Sequence, residues 1–115
     1  MSKKFERKII FFGNDFWDFY NKQTQKVKDR INWTFGLVRD LKVIPEKYFK
    51  HIIGTDLYEV RVSSGRNTYR IFCFFEKEKL IVILNCFQKK TQKTPKKEIV
   101  KAIKLKRQYY DEQKK

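Results

Sequence analysis

The chain holds two cysteines and one histidine in 115 residues, too few for a thiolate and imidazole zinc site, which takes three or four such ligands. Cys73 and Cys86 fall on neighbouring strand patterns, roughly four residues out of step in the register derived below, or on the order of 13 Å. A disulfide does not reach that far, so both read as small core residues. Two prolines and four glycines leave no linker, no low-complexity segment, no phosphate-cradling glycine loop and no nucleophile elbow. No paired carboxylates stand at metal spacing, so neither metal nor cofactor is expected. No apolar run approaches the ~20 residues that span a bilayer. The opening MSKKFERKIIFF carries no signal-type apolar region followed by a small-residue cleavage site. A cytoplasmic protein with no membrane role is expected.

Acidic residues are also scarce: 13 against 28 Lys and Arg, a formal charge of +15. From Gln88 to Lys115 the count is 11 basic to 3 acidic. A field of that sign recruits polyanions, with nucleic acid ahead of an anionic membrane or an acidic protein. The length fits one domain over residues 1–115 with one main core.

Three strand patterns dominate residues 57–88. Alternating apolar residues from Leu57 to Ser63 and from Thr68 to Phe75 flank Ser64-Gly65-Arg66-Asn67, where Gly65 suits a two-residue turn that starts at positive φ. Centring that turn on Gly65-Arg66 sets Arg61 opposite Arg70. A second turn at Lys77-Glu78 pairs Arg70 with Asn85 on a strand from Leu80 to Gln88. One face then carries Glu59, Arg61, Arg70, Phe72, Ile83, Asn85, Phe87 and Lys89. The other, with Tyr58, Val60, Val62, Tyr69, Ile71, Cys73, Phe75, Leu80, Val82, Leu84 and Cys86, is a core face packed on helices. Like charges directly opposed on a sheet destabilise it, so the facing arginines call for an anion between them. The alternative is that Glu59 neutralises one arginine and water solvates the other.

Lys8 to Phe12 reads as a short strand stopped by Gly13-Asn14, with Asn14 or Asp15 capping a helix through Tyr20. A second helix is expected from about Thr24 to Asp40, burying Val27, Ile31, Thr34, Val38 and Leu41. Pro45 opens one or two turns holding Tyr48, Phe49 and Ile52, and Thr94-Pro95 starts a last helix carrying Ile99, Ala102, Ile103 and Tyr110. Residues Asp111 to Lys115 read as a frayed tail. His51 lies in a segment with no assignable element, and a lone histidine is usually structural or solvated. The fold class is α+β: an antiparallel sheet with two N-terminal helices on one face, and a C-terminal helix.

The stretches GTDLYEVRV, YRIFCFF and LNCFQKKTQKTPKKEIVKAI resemble the RelE/HigB superfamily of toxins from toxin–antitoxin pairs, in particular its phage-derived HigB-like branch. The resemblance implies a small RelE-like domain and ribosome-dependent cleavage of messenger RNA. It also implies neutralisation by a cognate antitoxin, often a helix-turn-helix protein. Arg61 and Arg70 match basic positions on the family's strands, and Lys89 and Lys90 match the basic pair that closes the last strand. QKKTQKTP lacks the histidine or tyrosine that several members place near the active site. Glu59 is the available carboxylate base, or else a salt-bridge partner restraining the arginines. Lys93, Arg66 and Asn85 are candidate RNA contacts, and Phe72 and Phe87 either offer stacking surfaces to unpaired bases or pack under the C-terminal helix. Two other readings stand beside the endoribonuclease: a non-catalytic inhibitor of DNA gyrase like the ParE branch, and a basic RNA-binding module. Arg61, Arg70 and Lys89-Lys90 on one rim favour phosphate chemistry over protein occlusion.

Overall fold

The structure, a computed structural model, describes residues 4–114. Met1–Lys3, the start of the segment read for a signal sequence, lie outside the described residues. In chain order the elements are β1 (Lys8–Phe11), α1 (Asp15–Asn21), α2 (Gln25–Asp40), β2 (Phe49–His51), β3 (Tyr58–Ser64), β4 (Asn67–Lys77), β5 (Leu80–Lys89) and α3 (Lys96–Gln113). The strands form a five-stranded sheet in the order β1-β5-β4-β3-β2. Neighbours from β5 through β2 are antiparallel, while β1 runs parallel to β5, so the sheet is mixed. The α+β class stands.

Two cores sandwich the sheet. Phe16 of α1 and Val27, Ile31, Phe35 and Val38 of α2 pack on Val60, Val62, Tyr69, Ile71 and Cys73. On the opposite face Phe72, Phe74, Val82 and Leu84 pack under Ala102 and Tyr109 of α3. Thr24 caps α2, its hydroxyl accepting from the Val27 N–H at 3.3 Å. At the other end of α2, buried Arg7 donates to the carbonyls of Val38 (2.9 Å), Leu41 and Lys42 (2.8 Å). A cation thereby satisfies carbonyls that the helix leaves without intrahelical donors.

The β3–β4 hairpin has the expected register, with Arg61 opposite Arg70 and Ser64 opposite Asn67. Gly65 has φ 61°, as the first position of a type II′ turn requires. The β4–β5 register departs from expectation. Arg70 faces Phe87, not Asn85, because the turn falls at Glu78-Lys79 and not at Lys77-Glu78, which moves the pairing by two residues. Beyond the turn an extra residue on β4 between Phe75 and Lys77 is offset by a bulge on β5, where Ile71 pairs with Cys86 while Cys73 pairs with Ile83. This bulge sends Leu84 toward α3 and returns Cys86 to the α1/α2 core. Ile83, expected on the charged face, therefore lies in the α1/α2 core, and Val82 and Leu84 lie under α3. Just after the bulge, the Cys86 N–H finds a partner in the Asp15 carboxylate at 3.3 Å, and Lys101 of α3 reaches the same carboxylate.

Four smaller expectations change. Residues 49–51, expected as a turn, form an edge strand, which places His51 with its Nε2 2.5 Å from the Thr55 carbonyl. Leu41 is exposed, since the backbone turns extended as α2 ends. Ile103 and Tyr110 are also exposed, the buried positions of α3 being Ala102 and Tyr109. Finally, α3 runs to Gln113, so the expected frayed tail is helical to that residue, and Lys115 lies outside the described residues.

Both cysteines are free and buried. Their separation is smaller than expected, because Cys86 faces Ile71, two positions from Cys73. That diagonal is roughly 7–8 Å between Cα atoms, still past ordinary disulfide reach. Burial is the main cause that pushes both thiol pKa values strongly upward. A folded pKa raised above the unfolded one gives stability that is intact below the unfolded thiol value, about 8.5, and lost as pH rises past it. Each thiol should then remove about 1.4 kcal/mol per pH unit. Urea unfolding between pH 8 and 10 should show Cys86→Ala with a shallower decline than wild type. Equal declines, or fewer than two titratable thiols after denaturation, would contradict the buried, reduced state.

Candidate functional site

The site follows from the hairpin register. Arg61 on β3 and Arg70 on β4 are direct neighbours, and Glu59 stands two residues before Arg61 on the same face. The Glu59 carboxylate lies between them, with Oε1 3.3 Å from Arg61 Nη2 and Oε2 3.2 Å from Arg70 Nε. Glu59 is 6% exposed, so this bridge works in a medium less screening than water. This is the salt-bridge reading of Glu59, extended in that one carboxylate serves both arginines. Arg61 also donates from Nη1 to the Glu46 carbonyl at 3.5 Å, and Arg70 from Nη1 to the Tyr69 carbonyl at 3.3 Å.

Lys89 sits across from Thr68 at the end of β5. Its ammonium pKa is lowered, first by partial burial and then by Arg70, with Arg61 and Lys50 adding to the effect and Glu59 opposing it. Burial also lowers Arg70, with Arg61 contributing and Glu59 opposing. Thr68, Arg70, Lys89, Lys90, Thr91 and Gln92 line an open groove of about 490 Å³. A second groove of about 520 Å³ shares Lys90 and Thr91 and is floored by half-buried Phe87, with Phe19, Pro95 and Lys97 on its walls. The two adjoin through Lys90 and Thr91, the first lined by cations and the second carrying Phe19 and Phe87 beside Lys97 and Glu98.

The structure therefore brings together Glu59, Arg61, Arg70, Lys89 and Lys90, with Phe87 in the adjoining groove. It also adds Lys50, opposite Glu59 on β2. Sequence reading missed Lys50 because a three-residue edge strand carries too little alternation to register. Phe72 and Asn85 are corrected as RNA contacts, since both are fully buried. Phe72 packs under α3 with its ring edge-on to Phe87 at 5.3 Å. Asn85, on the bulge, donates through Nδ2 to the Glu98 carbonyl (3.1 Å) and carboxylate (3.2 Å), tying β5 to the first turn of α3. Arg66 at the hairpin tip and Lys93 in the loop are exposed and line neither groove. Among the described residues no group of three or more His, Cys, Asp or Glu is placed to hold a metal ion.

An α+β domain with a carboxylate-bridged arginine pair beside a lysine-lined groove is the class that fold and site define. The protein belongs to the family of phage-derived Gp49-like proteins (DUF891), whose profile matches residues 18–107, from α1 into α3. That is a RelE/HigB-like toxin family, associated with toxin–antitoxin systems and so with an antitoxin partner. No curated protein matches the chain. No helix among the described residues is long and apolar enough to cross a membrane.

Removing one member of a buried ion pair is more damaging than removing the whole group, because an uncompensated charge stays behind. Glu59→Gln leaves Arg61 and Arg70 facing each other and should destabilise the fold by about 3 kcal/mol. Arg70→Ala in that background should cost less than it does alone. A double-mutant cycle by urea unfolding measures the coupling, and strictly additive effects would contradict the bridge.

Proposed function

We propose that this protein is the toxin of a toxin–antitoxin pair and acts as a metal-independent endoribonuclease on messenger RNA held in the ribosome. The observation that carries the reading is Glu59 holding Arg61 and Arg70 side by side next to Lys89. In this reaction the ribose 2′-oxygen attacks the adjacent phosphorus, its proton leaves to solvent, and the bond from phosphorus to the 5′-oxygen breaks. The products are a 2′,3′-cyclic phosphate and a 5′-hydroxyl. Two planar guanidiniums suit the equatorial oxygens of the phosphorane, where negative charge develops. Lys89, a stronger acid than an ordinary lysine, protonates the departing 5′-oxygen. Lys90 and Lys50 attract neighbouring phosphates, and Phe87 offers a surface to an unpaired base.

Glu59 is assigned to holding the arginines and not to removing the 2′ proton, because both its oxygens are ion-paired and it is 6% exposed. A site without a free strong base depends on external orientation. In-line placement of message by the ribosome supplies it, and orientation of this kind is worth several kcal/mol of barrier. The same net charge of +15 favours docking on ribosomal RNA and invites an acidic antitoxin segment to cover Arg61, Arg70 and Lys89.

Single-turnover cleavage of message on programmed ribosomes tests the assignments. Arg70→Ala should lower the rate about 10²- to 10³-fold while circular dichroism shows a retained fold. Full cutting by a folded variant would refute the site. The rate requires protonated Lys89, so it should fall as pH rises through that group's lowered pKa, below the usual lysine value of about 10.4. Lys89→Arg keeps the charge but gives up the proton only at far higher pH, so it should cut slowly and lack that alkaline limb. An unchanged limb would remove Lys89 from the acid role.

A further inference from the structure

Away from the two grooves, Trp33 of α2 is 46% exposed, although it is among the largest apolar side chains in the chain. Its ring meets Tyr48 edge-on at 5.5 Å, and the Arg30 guanidinium lies 4.5 Å from its centroid. Each partner is itself held in place. Arg30 donates through Nε to the Ser63 carbonyl at 3.0 Å, and the Tyr48 carbonyl accepts the Arg61 backbone N–H at 2.8 Å. The Lys47 ammonium lies 5.6 Å from the Tyr48 ring. Lys26, Arg30 and the Ser63-Ser64-Gly65 segment line an open groove of about 390 Å³, with Asp29 as its one carboxylate. Asp29 accepts from Gln25 at 2.8 Å.

This cluster adjoins the strand that carries Arg61, on the opposite face of the sheet. Arg61 carries its guanidinium in the site, while its own N–H bonds to Tyr48. Ser63, which Arg30 grips, lies two residues further along β3. An apolar protein partner seated on Trp33 would strip water from Arg30, Lys26 and Lys47 without pairing them. A single strand of RNA presents a π-face and a phosphate at every nucleotide, and so meets both the rings and the cations.

We propose that Trp33, Tyr48 and Arg30 form a base-stacking subsite for single-stranded RNA, which carries the strand around the β2 edge from the arginine pair toward the groove lined by Lys26. Trp33 stacks a base, Arg30 both braces the ring and meets the adjoining phosphate, and Lys47 and Lys26 follow the backbone. The subsite rests on the reading of the protein as acting on RNA, and it concerns binding rather than the reaction.

The test uses a short 2′-O-methyl RNA, which lacks the attacking hydroxyl and stays intact whether or not the protein is a nuclease. In the full chain carrying Trp17→Phe, saturation with this RNA should quench the Trp33 fluorescence. Trp33→Ala should weaken binding roughly five- to tenfold without changing the salt dependence, since it removes no charge. Arg30→Ala should weaken binding and also flatten the salt slope by about one ion. Trp33→Phe, which keeps an aromatic face, should recover most of the affinity, and an abasic version of the RNA should bind wild type and Trp33→Ala alike. Unquenched fluorescence at saturation, or wild-type affinity in Trp33→Ala, would overturn the subsite even if cleavage by Arg70 stands. A Trp33-dependent affinity for this RNA, together with no cutting of unmodified message on programmed ribosomes, would uphold the subsite and refute the nuclease.

Discussion

Two guanidiniums held side by side on one sheet face are the constraint around which this molecule is arranged. Arg61 and Arg70 face each other because Gly65 and Arg66 make a two-residue turn, and opposed like charges are unfavourable on a sheet. Glu59 resolves the conflict only because it is on the same face, two residues from Arg61, and buried enough for its attraction to count. The result is a preorganised pair that still carries net positive charge. Such an arrangement stabilises incoming negative charge without having to reorganise.

The β5 bulge decides where this charged surface ends. With regular alternation Leu84 would fall on the face opposite α3, beside Cys86. The extra residue at Leu84 and Asn85 instead makes part of the Arg61 face a seat for α3 and anchors the helix through Glu98. The remaining half, from Arg61 across Arg70 to Phe87 and Lys89, is left to the grooves. Structure and proposed chemistry thus share a sheet face, the α3 half packed with phenylalanines and the other half lined with cations. Asp15 stabilises the boundary by accepting from the Cys86 N–H beside the bulge and pairing with Lys101.

What was legible in the sequence had local signals behind it. The β3–β4 register rests on a turn residue with a required positive φ, and α2 on a spaced apolar stripe with Thr24 as its cap. The β4–β5 register was not legible because LIVILNCF is a nearly continuous apolar run, buried on both faces, in which a slip of one residue leaves no mismatch to notice. Asn85 was placed opposite Arg70 for that reason, Phe72 kept its face but is covered there by α3, and Lys50 was missed because its strand has only three residues. The outward turn of Ile103 and Tyr110 reflects which side of α3 meets the sheet, a tertiary choice between adjacent positions on one stripe. Arg61 and Arg70 kept their pairing because it depends on the β3–β4 turn alone, and Lys89 kept its face because a displacement of two residues preserves alternation.

The central claim is that this charged half-face cuts messages as they are translated. Mapping RNA 5′ ends across the transcriptome, soon after induction of the chain in growing cells, tests it most directly. New 5′-hydroxyl ends are expected within translated reading frames, in phase with codons and absent from untranslated RNA, and none on induction of a folded Arg70→Ala variant. Intact messages accompanied by DNA breaks, or cuts spread evenly over untranslated RNA, would contradict it.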